Sequence, residues 1–200
     1  MKGLLLIIQK CGEWHMKGMY EQGDLKTNRL ILTKIHGAHA ADLFEVYSNA
    51  ETATYVPREV HKTKEETHRL LENMFTTIRD GKALIWSIML NDNQKVIGTC
   101  GIWLMPHNSA SIGAVISPTY WGKGVIVEAL EQVIKVGFQE LNLNRIEGRC
   151  SVRNVASERV MQKLKMVYEG TLRQNVKMNN TYSDSKVYLL LKQEYDCFAK

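Results

Sequence analysis

Gly122, Lys123 and Gly124 stand between an apolar, strand-like run that ends near Ile116 and an amphipathic run that begins at Val125. Two glycines at this spacing allow positive φ and close backbone approach, so successive N–H groups between a strand end and a helix N-terminus can converge on an anion. The same residues also suit a tight strand-to-helix turn that binds nothing. Two nucleotide motifs are excluded: Lys123 is followed by Gly rather than Ser or Thr, and the GxGxxG spacing is absent.

A second stretch, "NVASERVMQKLKM", places Ser157 at helical spacing with Val160, Met161 and Leu164. A hydroxyl on an otherwise apolar helix face needs a polar partner, either a ligand or the carbonyl of Arg153 one turn back. Asn154 is a preferred N-cap for that helix. Upstream, Glu147 and Arg149 share one face of a short strand, which makes Glu147 a carboxylate candidate for proton transfer, directly or through water. An ion pair with Arg149 or Arg145 explains the same residue without catalysis. His36 and His39 bracket Gly-Ala in a turn and lack helical metal-site spacing. Cys11, Cys100, Cys150 and Cys197 form no CxxC pair, so reduced thiols in a cytoplasmic protein are expected, with neither a zinc site nor a disulfide framework.

The elements that must position these groups follow from periodicity and capping. Residues 29–35 read as a strand, 40–48 as a helix, and 63–78 as a helix opened by a Thr63/Glu66 capping box. Residues 83–90 and 96–104 form a strand pair around a polar turn, and 109–116 alternates as a further strand. The helix after the glycine loop turns Ile126, Ala129, Leu130, Val133 and Gly137 inward. Residues 145–152 form a strand, Asn154 caps a helix running through Lys165, and residues 166–170 and 185–191 supply two last strands. The fold class is α+β, a mixed sheet with helices on its faces.

With 200 residues the chain can bury one sizeable core, and no repeat or linker divides residues 22–196. The net charge of +5 fits an anionic ligand but not the dense basic patch of a dedicated nucleic-acid binder, so nucleic acid is not expected as a partner. Residues 1–21 read as an N-terminal extension. Its apolar run at residues 4–8 is too short to span a membrane, no membrane association is expected, and Met16 or Met19 could serve as an alternative start.

Together, "ISPTYWGKGVIVEAL", "LNRIEGRCSVRNVASERVMQKLKMVYEG" and "YSDSKVYLLLKQEY" resemble the GNAT superfamily of acyl-CoA-dependent N-acetyltransferases, in the branch typified by ribosomal-protein N-terminal acetyltransferases. The resemblance covers residues 25–196. It implies a mostly antiparallel sheet with a central splayed parallel strand pair, and acetyl-CoA as cosubstrate with no metal. It further implies that Gly122, Lys123, Gly124, Val125 and Ile126 offer backbone N–H groups to the pyrophosphate of coenzyme A, with Trp121 at the usual Arg or Gln position. Val115, Ile116 and Ser117 would line the pantetheine arm, and Asn154 would lie near the thioester. Ser157 would assist departure of the thiolate, because Met161 stands where many members carry a tyrosine. The strand carboxylate common in the family is replaced by Ser111, and Ile126 stands where Gly or Ala is common. The acceptor implied is a primary amine, on a protein N-terminus or a small molecule, and the protein would work as a monomer or homodimer.

Two other classes compete. A coenzyme-binding module with weak or lost catalysis is suggested by the missing tyrosine and strand carboxylate. An RNA- or ribosome-binding domain rests on net charge alone.

Overall fold

The structure is a computed structural model that describes residues 23–178 and 180–198. The expected extension at residues 1–21 and the alternative starts lie outside the described residues. Among the described residues, no helix is long and apolar enough to cross a membrane.

The chain builds one sheet from β1 (Leu25–Lys26), β2 (Leu30–Lys34), β3 (Ala83–Leu90), β4 (Val96–Met105), β5 (Ser109–Ile116), β6 (Arg145–Ser151), β7 (Val167–Met178) and β8 (Thr181–Leu191). Their spatial order is β1-β2-β3-β4-β5-β6-β8-β7. All neighbours are antiparallel except β5 and β6, the parallel pair at the centre. The helices are α1 (Ala40–Tyr47), α2 (Lys64–Arg79), α3 (Val125–Lys135), α4 (Val155–Lys163) and α5 (Lys192–Phe198).

Alternation along the strands divides the core between the two faces of the sheet. On one face Ile102, Ile112, Ile146 and Leu190 pack with Ala129 and Val133 of α3 and Met161 of α4. On the other, Ile35, Ala83, Ile85 and Val96 pack with Leu43 and Val46 of α1 and Leu71 of α2. Each valine, leucine, isoleucine or methionine among them, taken fully out of water, contributes roughly 1.5–3 kcal/mol. The Thr63/Glu66 capping box forms as expected, and the Glu66 carboxylate accepts the N–H of Thr63 at 3.3 Å. His36 and His39 form a second such box around the turn Gly37–His39, which is how that pair is used.

Several boundaries depart from the sequence reading. The helix expected to run through Lys165 stops at Lys163, because Lys165 adopts a left-handed φ of 62°. The N–H of Met166 then donates to the carbonyl of Met161 and that of Lys165 to the carbonyl of Gln162, the Schellman arrangement that a glycine usually closes. On α3 the buried stripe also includes Val125 and Ile134, while Ile126 is half-buried against the same core. The helix ends in a π turn, Val136–Glu140, that carries Gly137 onto the sheet. β7 and β8 extend well beyond the expected short strands, since β7 is largely exposed and lacks the alternation that marks a half-buried strand. Strand β1 and helix α5, which buries Tyr195 against Phe138 (ring centroids 5.0 Å apart), were not expected.

Candidate active site

The parallel pair opens part-way along its length. β5 and β6 are in register from Ser109↔Arg145 to Ile112↔Gly148 and no further. β5 nevertheless continues to Ile116 on β4, and β6 continues to Ser151 on β8. Residues 113–116 and 149–151 therefore diverge in the middle of the sheet, as the resemblance implies. Strand backbone facing such a gap needs polar partners from elsewhere, which suits a ligand carrying amide groups.

The glycine loop follows directly from the end of β5. Gly122 and Gly124 have φ of 72° and 75°, left-handed values at which a Cβ would be strained. Gly124 is the N-cap of α3 and accepts the N–H of Glu128 at 3.1 Å. Among the described residues, none of the amides from Gly122 to Val127 donates to a backbone carbonyl. These open donors sit at the positive end of an α-helix, the arrangement that binds phosphate. Ile126 packs toward the core, so its branched side chain does not occupy the loop's outer side. Trp121 differs from its neighbours: its backbone N–H donates to Pro118, and its indole Nε1–H donates to the carbonyl of Ile116 at 3.2 Å. It ties the loop to the strand end that Val115, Ile116 and Ser117 form.

A clamp that sequence reading missed holds the loop from behind. Glu128 on α3 accepts the hydroxyl of Thr27 (2.5 Å), the N–H of Arg29 (3.0 Å) and the Nε–H of Arg29 (2.7 Å). The Nη1 group of Arg29 donates to the carbonyl of Lys123 at 2.9 Å. Burial alone would raise the Glu128 carboxyl above its ordinary value, but the bonds from Thr27 and Arg29 together hold it below. The partners are about a hundred residues apart in sequence, and no local pattern signals them.

Helix α4 follows β6, packs over it through Met161, and carries the second group of expected residues. Asn154 caps it, its side-chain oxygen accepting the N–H of Ser157 at 3.0 Å. The carbonyl of Arg153, the alternative partner for the Ser157 hydroxyl, accepts the N–H of Val155 at 3.2 Å. Ser157 is half-buried, and Met161 one turn later is core. On this helix, Glu158 receives the Tyr188 hydroxyl (2.6 Å) and Lys186 Nζ (2.7 Å). The Lys186 bond holds the Glu158 carboxyl low, while the bond to Glu158 raises the Tyr188 phenol.

Glu147 is 4% exposed, and it is ion-paired. Arg149 donates from Nε and Nη2 to one carboxylate oxygen, each at 2.8 Å, and Arg145 lies 3.6 Å from the other. Arg145 also meets Glu169 at 2.8 Å. A second polar cluster lies on the same face of the sheet, between α1 and α2. Tyr47 bonds Thr99 at 2.7 Å, His61 stacks on Tyr47 with ring centroids 5.2 Å apart, and the Arg58 guanidinium lies 4.8 Å from the Tyr47 ring. Burial raises the Tyr47 phenol, and burial followed by the Arg58 charge lowers His61.

These features agree with what the chain is similar to. Residues 29–167 match the family model described as an acetyltransferase (GNAT) domain. An uncharacterized N-acetyltransferase of Bacillus subtilis, YoaA, is 32% identical over 170 residues, covering 84% of this chain and 96% of that protein. A ribosomal-protein-serine acetyltransferase of Escherichia coli is 27% identical over 129 residues, covering 64% of this chain and 71% of that one. The crystal structure of a GNAT-family acetyltransferase from Bacillus anthracis superposes with a TM-score of 0.77 at 27% identity, covering 86% of this chain and 99% of that one. With the parallel pair parted beyond Ile112 and Gly148 and a run of open amides where β5 meets α3, the chain belongs to the GNAT family and is an N-acetyltransferase.

Proposed function

We propose that the protein transfers the acetyl group of acetyl-CoA to a primary amine by direct attack in a ternary complex, in the cytoplasm. The observation that carries this reading is the alignment of the parted strands with the open amides at residues 122–127. Those donors suit the pyrophosphate, and the strand edge at Val115, Ile116 and Ser117 suits the amide-bearing arm. Acetyl-CoA supplies an activated thioester. The amine nitrogen forms a bond to the acetyl carbon, the carbon–sulfur bond breaks, and the proton lost by the nitrogen is matched by one gained at sulfur.

Within this reading, a backbone N–H of β5 at the gap stabilises the tetrahedral oxyanion. Asn154 orients the N-terminus of α4, and Ser157 supplies a hydrogen bond to the leaving thiolate. Glu147 holds Arg149 instead of acting as the base, since both its oxygens face guanidinium groups. Proton removal then falls to water, or the amine binds already neutral. The acceptor reading extends to protein N-termini, including those of ribosomal proteins, supported by the Escherichia coli relative.

Incubation with acetyl-CoA and a panel of amines, with thiol release as the readout, tests the reading. Absence of release with every amine class would overturn it. The arginine-paired Glu147 and the buried Met161 favour one second reading, a coenzyme-binding module without catalysis. That reading requires coenzyme A binding in calorimetry together with no turnover.

A further inference from the structure

On the face of the sheet that carries Glu147, the residues at the mouth of the gap differ in chemistry from one strand to the next. Trp103, Ser111, Glu147 and Leu189 are aligned across β4, β5, β6 and β8. Gly101 and Gly113 form the next row toward the gap, and Arg149 is the first residue of β6 beyond the parallel pairing. Ser111 and the two glycines have little or no side chain, so the central strands make a low floor. Trp103 on β4 and Arg149 on β6 bound it, two strands apart, with Arg149 two residues further toward the gap than the row that Trp103 shares with Glu147. The Trp103 ring leans over the floor: a Cβ on Gly113 would lie 3.5 Å from its Cζ3 atom, yet the residue stays 36% exposed.

Arg149 is held at this mouth in a particular orientation. Its Nε and Nη2 groups bind one oxygen of Glu147, a carboxylate that is itself buried. Among the described residues nothing is bonded to its Nη1 group, and its side chain remains 47% exposed. The used edge is the Nε/Nη2 side of the fork, so the Nη1/Nη2 end is left to receive a second carboxylate in the paired geometry that guanidinium favours. The other charges on this part of the face are committed. Glu169 faces Arg145, and Arg58 is engaged with Tyr47 and Thr52.

We infer that the acceptor is a primary amine that also carries a carboxylate, and that Arg149 is the residue that reads it, with Trp103 bounding the chain between the two groups. This rests on the acetyl-transfer reading given above. The carboxylate could belong to an acidic residue near a peptide N-terminus or to a free amino acid, and Arg149 serves either in the same way.

The test compares four acceptors in thiol release: a peptide with an N-terminal Ser-Glu, the same peptide with Gln in place of Glu, free glutamate, and spermidine. Carboxylate acceptors are expected to exceed the Gln peptide at least tenfold in kcat/KM, and the peptide and glutamate arms separate the two sources. Arg149→Gln is expected to remove that preference through KM, and Arg149→Lys is expected to restore part of it. Equal kcat/KM for the Glu and Gln peptides, or spermidine as the best acceptor, overturns the inference. If Arg149→Gln fails to fold because Glu147 loses its nearer partner, the wild-type comparison still decides. If no acceptor releases thiol, the acetyl-transfer reading fails by itself. Calorimetric binding of the Glu and Gln peptides to protein saturated with coenzyme A then decides the role of Arg149.

Discussion

Arg29 and Glu128 are joined at 2.7 Å across 99 positions of sequence, and the same guanidinium holds the carbonyl of Lys123 inside the glycine loop. The pair fixes the beginning of α3 relative to β2. It also turns the peptide after Lys123 so that its carbonyl points back to Arg29. Arg29→Ala removes that anchor. Because the Arg29 side chain is half exposed, solvent screens the charge, and the expected loss is about 1 kcal/mol. The KM for acetyl-CoA should rise about fivefold with kcat nearly unchanged. A fall in kcat with KM intact would place Arg29 outside coenzyme binding.

Gly124→Ala tests the loop's backbone without adding a clash. The nearest atom to the new Cβ is Arg29 Nη2 at 3.6 Å, an ordinary contact, so the penalty comes from φ of 75°. A left-handed alanine costs about 1–2 kcal/mol. The expected results are a lower midpoint of thermal unfolding and a smaller stabilisation by coenzyme A. Unchanged coenzyme affinity would show that the loop's amides are not the phosphate site.

Ser157→Ala separates a chemical role from a packing one. Under the proposed role, the lost hydrogen bond to the anionic thiolate is worth about 1.5–3 kcal/mol, so kcat is expected to fall at least tenfold with coenzyme A affinity unchanged. An unaltered kcat would reduce Ser157 to a small helix-face residue.

Gly137→Ala should be a stability defect. Its Cβ would come within 2.6 Å of Ile146 Cδ1 and 2.9 Å of Ile102 Cδ1, and both isoleucines are fully buried. Overpacking of this kind costs about 1–3 kcal/mol, measurable as a lower denaturant midpoint. An unshifted midpoint would mean that the π turn can move off the sheet.

His39 and His61 predict the acid response. Burial lowers both from the ordinary value of 6.5, assisted by His36 at the first and by Arg58 at the second. Below pH 6.5 the unfolded chain takes protons that the folded protein resists. The stability these histidines contribute is therefore complete above pH 6.5 and is lost as pH falls through their lowered values. Thermal midpoints should decline between pH 7 and pH 5, and His61→Gln should flatten the decline. A profile that His61→Gln leaves untouched would remove that residue from the account.

Some of this architecture is determined by short-range chemistry. Strand β5 alternates, the Thr63/Glu66 box opens α2, Asn154 caps α4, and two glycines mark where the backbone must turn left-handed, because each depends on residues within a few positions. The length of the hairpin β7–β8 exceeds the two short strands expected, since exposed strands lose the alternation that burial imposes, and α4 ends earlier than expected since a lysine takes the left-handed position. What the tertiary structure alone decided is how distant residues pair. It fixed where β5 and β6 part, whether Glu147 met solvent or arginine, and which residues anchor the loop whose glycines were visible from the start. Such pairings depend on strand order and register, and these arise from packing the whole sheet and not from any local run of residues.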